Sequence, residues 1–312
     1  MEWVRVFSPA TIGNIGPGFD VLGLALKGLG DTIEARRTSS GVVISRIESR
    51  TALSTDPSRN TAGIAATEVL RILGVEGGVE LRINKGLPSG SGLGSSAASA
   101  AAGAYAANFL YGSRLTKEEL ILPATRAEEV VSGAFFADNT APALLGGATL
   151  TCSLNPLKIV RIGTIDDLRI VLLMPELTVL TREARAVLPK AVLMKRFVSN
   201  MAHACLITAA FARNNYSLLA GSLNDLVAEP VRRKLILGFD EVKKSALSAG
   251  ADGMAISGSG PAVFAITDSE EKAQRIAESM VLAFERCGVR ASSVVSSVDP
   301  EGTRMLDCGM ET

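Results

Sequence analysis

The sequence is poor in the residue on which many enzymes depend. Among its 312 residues there is one histidine, His203. A single histidine argues against histidine-based catalytic triads, histidine-rich metal sites and haem ligation. An enzyme of this composition has to work with carboxylates, hydroxyls, amides, arginines and backbone groups. His203 lies in the apolar run 201–205, where we expect a core or interface residue.

An excess of charge of one sign is also missing. The chain has 32 basic and 32 acidic residues, so its formal net charge is zero, and it has no basic tract. Proteins that bind nucleic acids or anionic membranes show a positive electrostatic footprint. We therefore expect no nucleic-acid partner and no membrane partner.

Cysteines are few and scattered. Cys152, Cys205, Cys287 and Cys308 occur without C-x-x-C spacing, which argues against both a zinc finger and a disulfide scaffold. This usage favours a reducing compartment. The first six residues carry an acid and a base with no long apolar stretch behind them, unlike a signal peptide. We predict a cytoplasmic location.

One stretch, 86–113, contains no charged residue and is long enough to span a bilayer. It consists largely of glycine, serine and alanine, whereas insertion into hydrocarbon favours leucine, isoleucine, phenylalanine and valine. We therefore predict a glycine-rich loop followed by a closely packed, buried helix.

The patterning elsewhere predicts an α+β protein. Short alternating or apolar runs predict strands, and longer amphipathic runs predict helices. Asn60 is a good N-cap and Gly74 a good stop for the first helix, and Pro123 marks a break in a later one. Strands are predicted at 3–8, 32–35, 42–47, 79–83, 148–153, 157–162, 170–174, 254–257, 262–266 and 291–296, and later helices at 116–131, 190–219, 239–249 and 269–287. We place a domain boundary near Asp166, which gives domains 1–166 and 167–312.

The loop 85–96, Lys-Gly-Leu-Pro-Ser-Gly-Ser-Gly-Leu-Gly-Ser-Ser, follows a predicted strand and opens a helix. Glycines let the backbone approach a phosphate, and the helix N-terminus supplies donors and about half a positive charge. The loop lacks the Gly-Lys-[Ser/Thr] of a Walker A motif, and its glycines do not match the Rossmann pattern. Protein-kinase signatures are missing as well. A tight turn before a packed helix remains the alternative for this loop alone.

Three motifs in order make the loop more specific. The segment 88–98 resembles the phosphate-binding signature of the GHMP kinases, named after galactokinase, homoserine kinase, mevalonate kinase and phosphomevalonate kinase. The segment 9–20, Pro-Ala-Thr-Ile-Gly-Asn-Ile-Gly-Pro-Gly-Phe-Asp, is similar to the substrate-side motif of this family. The segment 257–261, Ser-Gly-Ser-Gly-Pro, is similar to its third motif, a glycine loop beside the phosphates.

Within the superfamily the chain resembles the homoserine kinase branch, on the strings 14–20, 137–142, 181–185, 188–190 and 229–232. The resemblance runs from end to end. It implies ATP-dependent phosphorylation of L-homoserine to O-phospho-L-homoserine, on the route to threonine. It also implies an N-terminal domain like domain two of ribosomal protein S5, a ferredoxin-like C-terminal domain, and a homodimer.

The resemblance and the chemistry of homoserine together suggest substrate contacts. A zwitterion needs a cationic clamp for its carboxylate, which Arg185 and Arg232 can supply as planar forks. Asp20 suits the ammonium and Asn14 a polar contact, and Thr181 shares a helix face with Arg185 if that segment is helical.

Two of these positions are also compatible with a purely structural role. Asn14 can be a turn residue among glycines, and Arg232 can belong to a solvated basic run, 232–234.

The resemblance also implies the contacts of ATP and Mg²⁺. Ser96 and Glu128 align with the magnesium ligands, and Glu129 is the less suitable neighbour. Asn60 corresponds to a position that contacts the base, although helix capping would account for it equally well. The full set of predicted nucleotide contacts is Asn60, Pro88, Ser89, Gly90, Ser91, Gly92, Leu93, Gly94, Ser95, Ser96, Ala97, Ala98, Gly258, Ser259 and Gly260.

The sequence leaves open which residue accepts the hydroxyl proton. Asp138 matches the aspartate of other branches, whereas homoserine kinases place the following residue, Asn139, at the hydroxyl. Positioning the reactants can remove roughly 7–11 kcal/mol of the activation barrier. A general base typically accelerates a reaction only ~10²–10⁴-fold, which is a smaller effect. We therefore expect Asn139 to orient the hydroxyl, while Mg²⁺, Arg185 and the loop amides stabilise the phosphoryl oxygens.

The chain departs from the branch at two places. Homoserine kinases usually carry Ser-Ala where this chain has Ile12-Gly13, and usually a histidine where it has Phe136. Both changes remove hydrogen-bonding capacity near the expected acceptor pocket. They leave the phosphate chemistry intact. Three alternatives stay open: another GHMP kinase with a mevalonate- or shikimate-type acceptor, a non-catalytic ligand-binding relative and, more distantly, a Rossmann oxidoreductase.

Overall fold

The computed structural model of the protein describes residues 2–88, 90–133 and 135–306. Within these ranges it has two sheets with helices packed against them. The strands are β1 (Val4–Gly13), β2 (Leu22–Thr38), β3 (Gly41–Glu48), β4 (Gly78–Asn84), β5 (Ala148–Leu154), β6 (Leu157–Gly163), β7 (Arg169–Pro175), β8 (Gly253–Ile256), β9 (Val263–Thr267), β10 (Ala291–Ser296) and β11 (Arg304–Leu306). The helices are α1 (Thr61–Leu73), α2 (Ser95–Leu110), α3 (Lys117–Ser132), α4 (Thr140–Leu145), α5 (Thr181–Ala186), α6 (Met194–Ala212), α7 (Tyr216–Leu219), α8 (Glu229–Arg232), α9 (Phe239–Ser248) and α10 (Glu270–Arg286).

The first sheet has the strand order β11-β1-β2-β4-β3, with β5 paired to both β2 and β6. The long strand β2 pairs with β1, β4 and β5 along different parts of its length. Its 17 residues let one strand pair with three others. The sequence predicted residues 32–35 of this strand alone.

Helix α2 is the buried centre of the helical layer on this sheet. Its alanines are almost all inaccessible to solvent, and a Cβ at Gly103 would lie 2.5 Å from the carbonyl oxygen of Ala62 in α1. Small residues are needed because the two helices approach this closely. The prediction of a packed helix at 86–113 is confirmed. No helix in the described ranges is long and apolar enough to cross a membrane.

The second sheet has the order β10-β7-β9-β8, and every pair in it is antiparallel. Numbered within the domain, this order is 4-1-3-2, with α9 before the second strand and α10 between the third and fourth. That arrangement is the ferredoxin-like topology. The predicted α+β fold class is confirmed.

A shared apolar cluster joins the two sheets. It combines Ile12 and Leu24 of the first sheet with Ile170, Leu172 and Phe264 of the second. The chain then returns to the first sheet, because β11 pairs with β1. The domain division at Asp166 stays a prediction.

Two predicted helix boundaries were wrong. Pro123 lies inside α3, which is continuous and begins with a capping box between Thr116 and Glu119. A proline removes a single backbone bond, and the packing of α3 on α1 and α2 compensates. The helix predicted at 190–219 is two helices, because Asn214 adopts φ 47° and Asn215 caps α7.

Candidate active site

Three segments meet at one cleft between the sheets: the first loop at 9–20, the glycine-rich second loop at 85–96 and the third loop at 257–261. The amide of Thr11 donates to the carbonyl of Leu93, and the amide of Gly258 donates to that of Gly13, at 3.0 and 3.1 Å. Two further bonds join the second loop to the third, from the Ala262 amide to the Ser91 carbonyl and from Ser257 Oγ to the Gly92 carbonyl. Three segments far apart in sequence therefore form one backbone framework.

The glycine-rich loop leads directly into the N-terminus of α2. Gly94 occupies the N-cap with φ 65° and supplies no side-chain cap, so the first amides of this 16-residue helix are available to a ligand. Gly92 has φ 83°, and a Cβ there would lie 2.7 Å from the Ser257 carbonyl oxygen. The loop thus needs glycine both for its conformation and for its contact with the third loop.

The predicted nucleotide contacts fall into three groups. Those that line the cleft are Asn60, Gly90, Ser91, Gly92, Gly94, Ser95, Ser96, Gly258 and Ser259. Those that do not line it are Pro88, Leu93, Ala97, Ala98 and Gly260. Leu93, Ala97 and Ala98 are fully buried: Leu93 precedes α2 and packs in the cluster between the sheets, whereas Ala97 and Ala98 lie in the first turn of α2. Ser89 lies outside the described residues.

Asn60 is a helix cap in this structure. Its Oδ1 accepts from the Ala62 amide at 3.1 Å, and its Nδ2 donates to the Ser54 carbonyl at 3.1 Å. The predicted helix cap is therefore observed, and the contact of Asn60 with the base stays a prediction.

Ser96 and Glu128 face each other at the start of α2. Ser96 Oγ donates to Glu128 Oε2 at 2.9 Å. Two neighbouring ligands of an octahedral ion at 2.0–2.1 Å are separated by about 2.9–3.0 Å, so this oxygen pair fits Mg²⁺. Desolvation raises the pKa of Glu128 to about 7, and the bond from Ser96 and the charge of Lys85 oppose that rise. The described residues contain no cluster of three or more acidic, histidine or cysteine ligands.

The acceptor side of the cleft contains a carboxylate opposite a guanidinium. Arg185 of α5 donates from Nη1 and Nη2 to the two carboxylate oxygens of Asp20, at 3.1 and 2.8 Å. The guanidinium also lies 3.9 Å from the ring centroid of Phe136. Thr181 and Arg185 share one face of α5 and both line the cleft.

Arg232 is a buried arginine with two backbone partners. It is 4% exposed, its Nε donates to the Ala184 carbonyl, and its Nη1 donates to the Gly258 carbonyl, each at 3.0 Å. Its neighbour Arg233 is exposed and pairs with Asp240. The solvated-run alternative for Arg232 is therefore wrong, since a buried arginine and an exposed one are adjacent in this run.

Asn14 has both ends of its amide engaged within the protein. Its Nδ2 donates to the Gly258 carbonyl and its Oδ1 accepts from the Asp20 amide, both at 2.9 Å. The residue has φ 72° and lines the cleft. In this structure it fixes the position of Asp20 relative to the third loop.

Asp138 and Asn139 lie between the glycine-rich loop and the ion pair of Asp20 with Arg185. Asp138 is buried, and desolvation followed by the nearby charge of Asp20 raises its pKa to about 7. Asn139 Oδ1 accepts from Thr11 Oγ1 at 2.8 Å. Both residues line the cleft.

Known proteins similar to this chain are GHMP kinases. A family model for the GHMP kinases N terminal domain matches residues 60–147, and one for GHMP kinases C terminal matches residues 207–286. A homoserine kinase of Arabidopsis thaliana is 44% identical over 97% of this chain and 85% of its own length. The homoserine kinase of Chloroherpeton thalassium is 41% identical over 98% and 100%. The chain belongs to the homoserine kinase family of GHMP kinases.

The fold agrees with that of a solved member of the homoserine kinase family. The crystal structure of homoserine kinase from Cytophaga hutchinsonii matches with a TM-score of 0.93 and 39% identity, over 98% of both chains. The family prediction made from the three motifs is confirmed.

The departures from the usual homoserine kinase sequence have different structural consequences. Ile12 is fully buried in the cluster between the sheets, so it removes no polar group from the cleft. A Cβ at Gly13 would lie 2.6 Å from Asp138 Oδ2 and 2.7 Å from Asn139 Nδ2. Phe136 does line the cleft, where its ring replaces a hydrogen-bonding group with a stacking surface for Arg185.

A buried network of an ion pair and hydrogen bonds beneath the glycine-rich loop was not predicted from the sequence. Lys85 Nζ forms an ion pair with Asp31 and donates to the Ser95 carbonyl and to Ser99 Oγ, at 2.7 and 2.8 Å. The Lys85 side chain is 4% exposed and Asp31 is not exposed at all. Burial lowers the pKa of Lys85 and raises that of Asp31, against their mutual attraction. A lysine immediately before the glycines was the available signal, but its partner lies 54 residues away.

Proposed function

We propose that this chain transfers the γ-phosphoryl group of ATP to the side-chain hydroxyl of L-homoserine, giving O-phospho-L-homoserine, ADP and a proton. One observation carries the proposal: a single cleft combines an anion-binding helix N-terminus with a carboxylate and two guanidiniums. These groups complement a triphosphate on one side and an amino-acid zwitterion on the other.

On the acceptor side, Asp20 binds the homoserine ammonium, and Arg185 and Arg232 bind its carboxylate. Asp20 and Arg185 form an ion pair with each other, so the zwitterion replaces one internal ion pair with two intermolecular ones. Thr181 adds a hydroxyl at the rim, and Asn14 holds Asp20 in place. Charged hydrogen bonds of this kind are about twice as strong as neutral ones.

On the nucleotide side, the amides at 90–96 and the third loop at Gly258 and Ser259 bind the phosphates. Ser96 and Glu128 would hold Mg²⁺, which would supply positive charge to the phosphate oxygens. Asn60, the N-cap of α1, lines the same cleft and contacts the base.

At the centre, Asn139 orients the acceptor hydroxyl. The loose transition state of phosphoryl transfer depends mainly on positioning and charge stabilisation, and an amide does not take up a proton near neutral pH. Asp138 is the alternative: burial raises its pKa to about 7, which is suited to a group that takes up a proton near neutral pH.

The acceptor is tested by offering L-homoserine, L-serine, mevalonate and shikimate with ATP and measuring ADP release. We expect homoserine to give the highest kcat/KM by at least tenfold. Equal or faster turnover of mevalonate or shikimate would contradict the proposal.

The central residues are tested by Asn139→Ala and Asp138→Asn in the same assay. We expect Asn139→Ala to lose most turnover. If it keeps full turnover while a folded Asp138→Asn is inactive, Asp138 is the base and the two roles are reversed.

We also propose a homodimer in a reducing, cytoplasmic compartment. Leu193, Met194, Phe197 and Met201 project at the start of α6 with about half or more of their surface exposed, which supports association through this helix. Cys152, Cys205 and Cys287 are free thiols. Light scattering of the purified chain, with Phe197→Glu as the disrupting variant, tests the dimer.

A further inference from the structure

Thr11 is a fully buried residue of β1 whose side chain reaches into the catalytic centre. Its Oγ1 donates to Asn139 Oδ1 at 2.8 Å, across 128 positions of sequence. Asn139 occupies the N-cap of α4, where an asparagine side chain ordinarily accepts from an amide of its own helix. It makes no such capping bond here. The amide is turned toward Thr11 instead.

A second neighbour favours the same orientation of the amide. Asn139 Nδ2 lies 3.5 Å from Asp138 Oδ1. Exchanging the oxygen and nitrogen of the amide would place two oxygens opposite each other at that position. It would also replace the donor–acceptor pair with Thr11 by one in which the hydroxyl has to accept. The carboxylate of Asp138 is an acceptor and therefore selects the orientation with Nδ2 toward it, and the Thr11 hydroxyl then holds Oδ1 by donating to it.

We propose that Thr11 is a positioning residue that fixes the Asn139 amide so that Nδ2 donates to the oxygen of the acceptor hydroxyl. This inference rests on the proposed function. With Oδ1 occupied by Thr11, Asn139 presents a donor and not an acceptor to the substrate. The hydroxyl oxygen accepts from Nδ2 and keeps its other lone pair for the γ-phosphorus.

The same threonine ties the acceptor to the phosphate loop. A Cβ at Gly94 would lie 1.9 Å from Thr11 Oγ1 and 3.0 Å from Asn139 Oδ1. The residue before α2 therefore packs directly on the Thr11–Asn139 hydrogen bond. Any shift of Thr11 changes the distance between the oriented hydroxyl and the helix N-terminus that holds the phosphates.

The test is a set of threonine variants assayed with ATP and L-homoserine. We expect Thr11→Val to lower kcat roughly tenfold, the equivalent of one hydrogen bond, with the KM for ATP unchanged. Thr11→Ser restores the hydroxyl and should return kcat to within about twofold of wild type. In the Asn139→Ala background Thr11→Val should cause no further loss, because Thr11 acts through Asn139.

The matched control is Thr125→Val in α3. Thr125 is fully buried and its hydroxyl lies 2.7 Å from Thr140 Oγ1 in α4, so it loses an equivalent bond outside the cleft. We expect its kcat to stay within about twofold of wild type. If Thr11→Val does not fold, Thr11→Ala takes its place in the same cycle.

Three results would overturn the inference: an unchanged kcat in Thr11→Val, no rescue by serine, or an equal loss in the Asn139→Ala background. A loss in Thr125→Val as large as that in Thr11→Val would also do so, since it would show a structural effect alone. Failure of the proposed function is recognised separately, because wild type then fails to phosphorylate homoserine.

Discussion

Replacing Arg232 with lysine separates the structural and the binding roles of this residue. The guanidinium bridges the carbonyl oxygens of Ala184 and Gly258, each at 3.0 Å, from a position that is 4% exposed. A lysine ammonium keeps the charge but cannot reproduce the planar fork. At least one buried carbonyl then loses its partner, which costs about 1–3 kcal/mol in unfolding free energy.

Loss of the fork also weakens the grip on the homoserine carboxylate. A charged hydrogen bond contributes about 1.5–3 kcal/mol, so we expect kcat/KM for homoserine to fall roughly ten- to hundredfold. The KM for ATP should stay within about twofold, because Arg232 contacts the third loop through the Gly258 carbonyl and the phosphates are proposed to bind loop amides. Steady-state kinetics and urea unfolding measure the two effects separately.

Arg233→Lys is the matched control, one residue along the chain. Arg233 is exposed and its pair with Asp240 lies on the surface, where such pairs contribute at most about 1 kcal/mol. We expect this variant to match wild type in both assays. The reasoning is refuted if Arg232→Lys keeps the homoserine kcat/KM of wild type, or if Arg233→Lys lowers it equally.

Three further predictions concern the loop, the magnesium ligand and pH. Gly92→Ala should unfold at a lower urea concentration than Gly90→Ala. Both glycines have positive φ, but of the two only Gly92 has backbone oxygens where a Cβ would lie. Equal urea midpoints for the two variants would contradict this. Glu128→Gln should lower kcat by about 10² and shift its Mg²⁺ dependence, while Glu129→Gln on the same helix stays active; an unshifted Mg²⁺ titration would exclude Glu128 as a ligand. Burial raises the pKa of Asp138 to about 7, so the stability linked to it is full below about pH 4 and lost as pH rises through 7. Asp138→Asn should therefore raise Tm relative to wild type more at pH 8 than at pH 5, and a difference independent of pH would contradict the assignment.

The elements that the sequence predicts well are those with a local physical signature. The Asn60 cap and Gly74 stop of α1 are both observed, and the glycine loop leads into α2 as its composition indicates. Pro123 misled because a single missing bond does not end a helix that is buried between neighbours. The return of β11 to β1 has no local signal, since its partner strand lies about 300 residues away.

The candidate site shows the same division. Arg185, Asp20 and Glu128 line the cleft as the motifs predict, but the pairing of Asp20 with Arg185 depends on segments 165 residues apart. Arg232 looks like part of a solvated run in the sequence and is buried in the fold. Lys85, Asp31 and Thr11 act through tertiary contacts, so their types alone do not distinguish them from ordinary loop and strand residues.

The most direct test of the account is a crystal structure of the chain with L-homoserine and a non-hydrolysable ATP analogue. We expect the phosphates at the amides of 90–96. We expect the homoserine ammonium at Asp20 and its carboxylate at Arg185 and Arg232. Its hydroxyl should lie at Asn139 and face the γ-phosphate. Nucleotide bound away from the α2 N-terminus, or homoserine bound with its hydroxyl turned from Asn139, would contradict it.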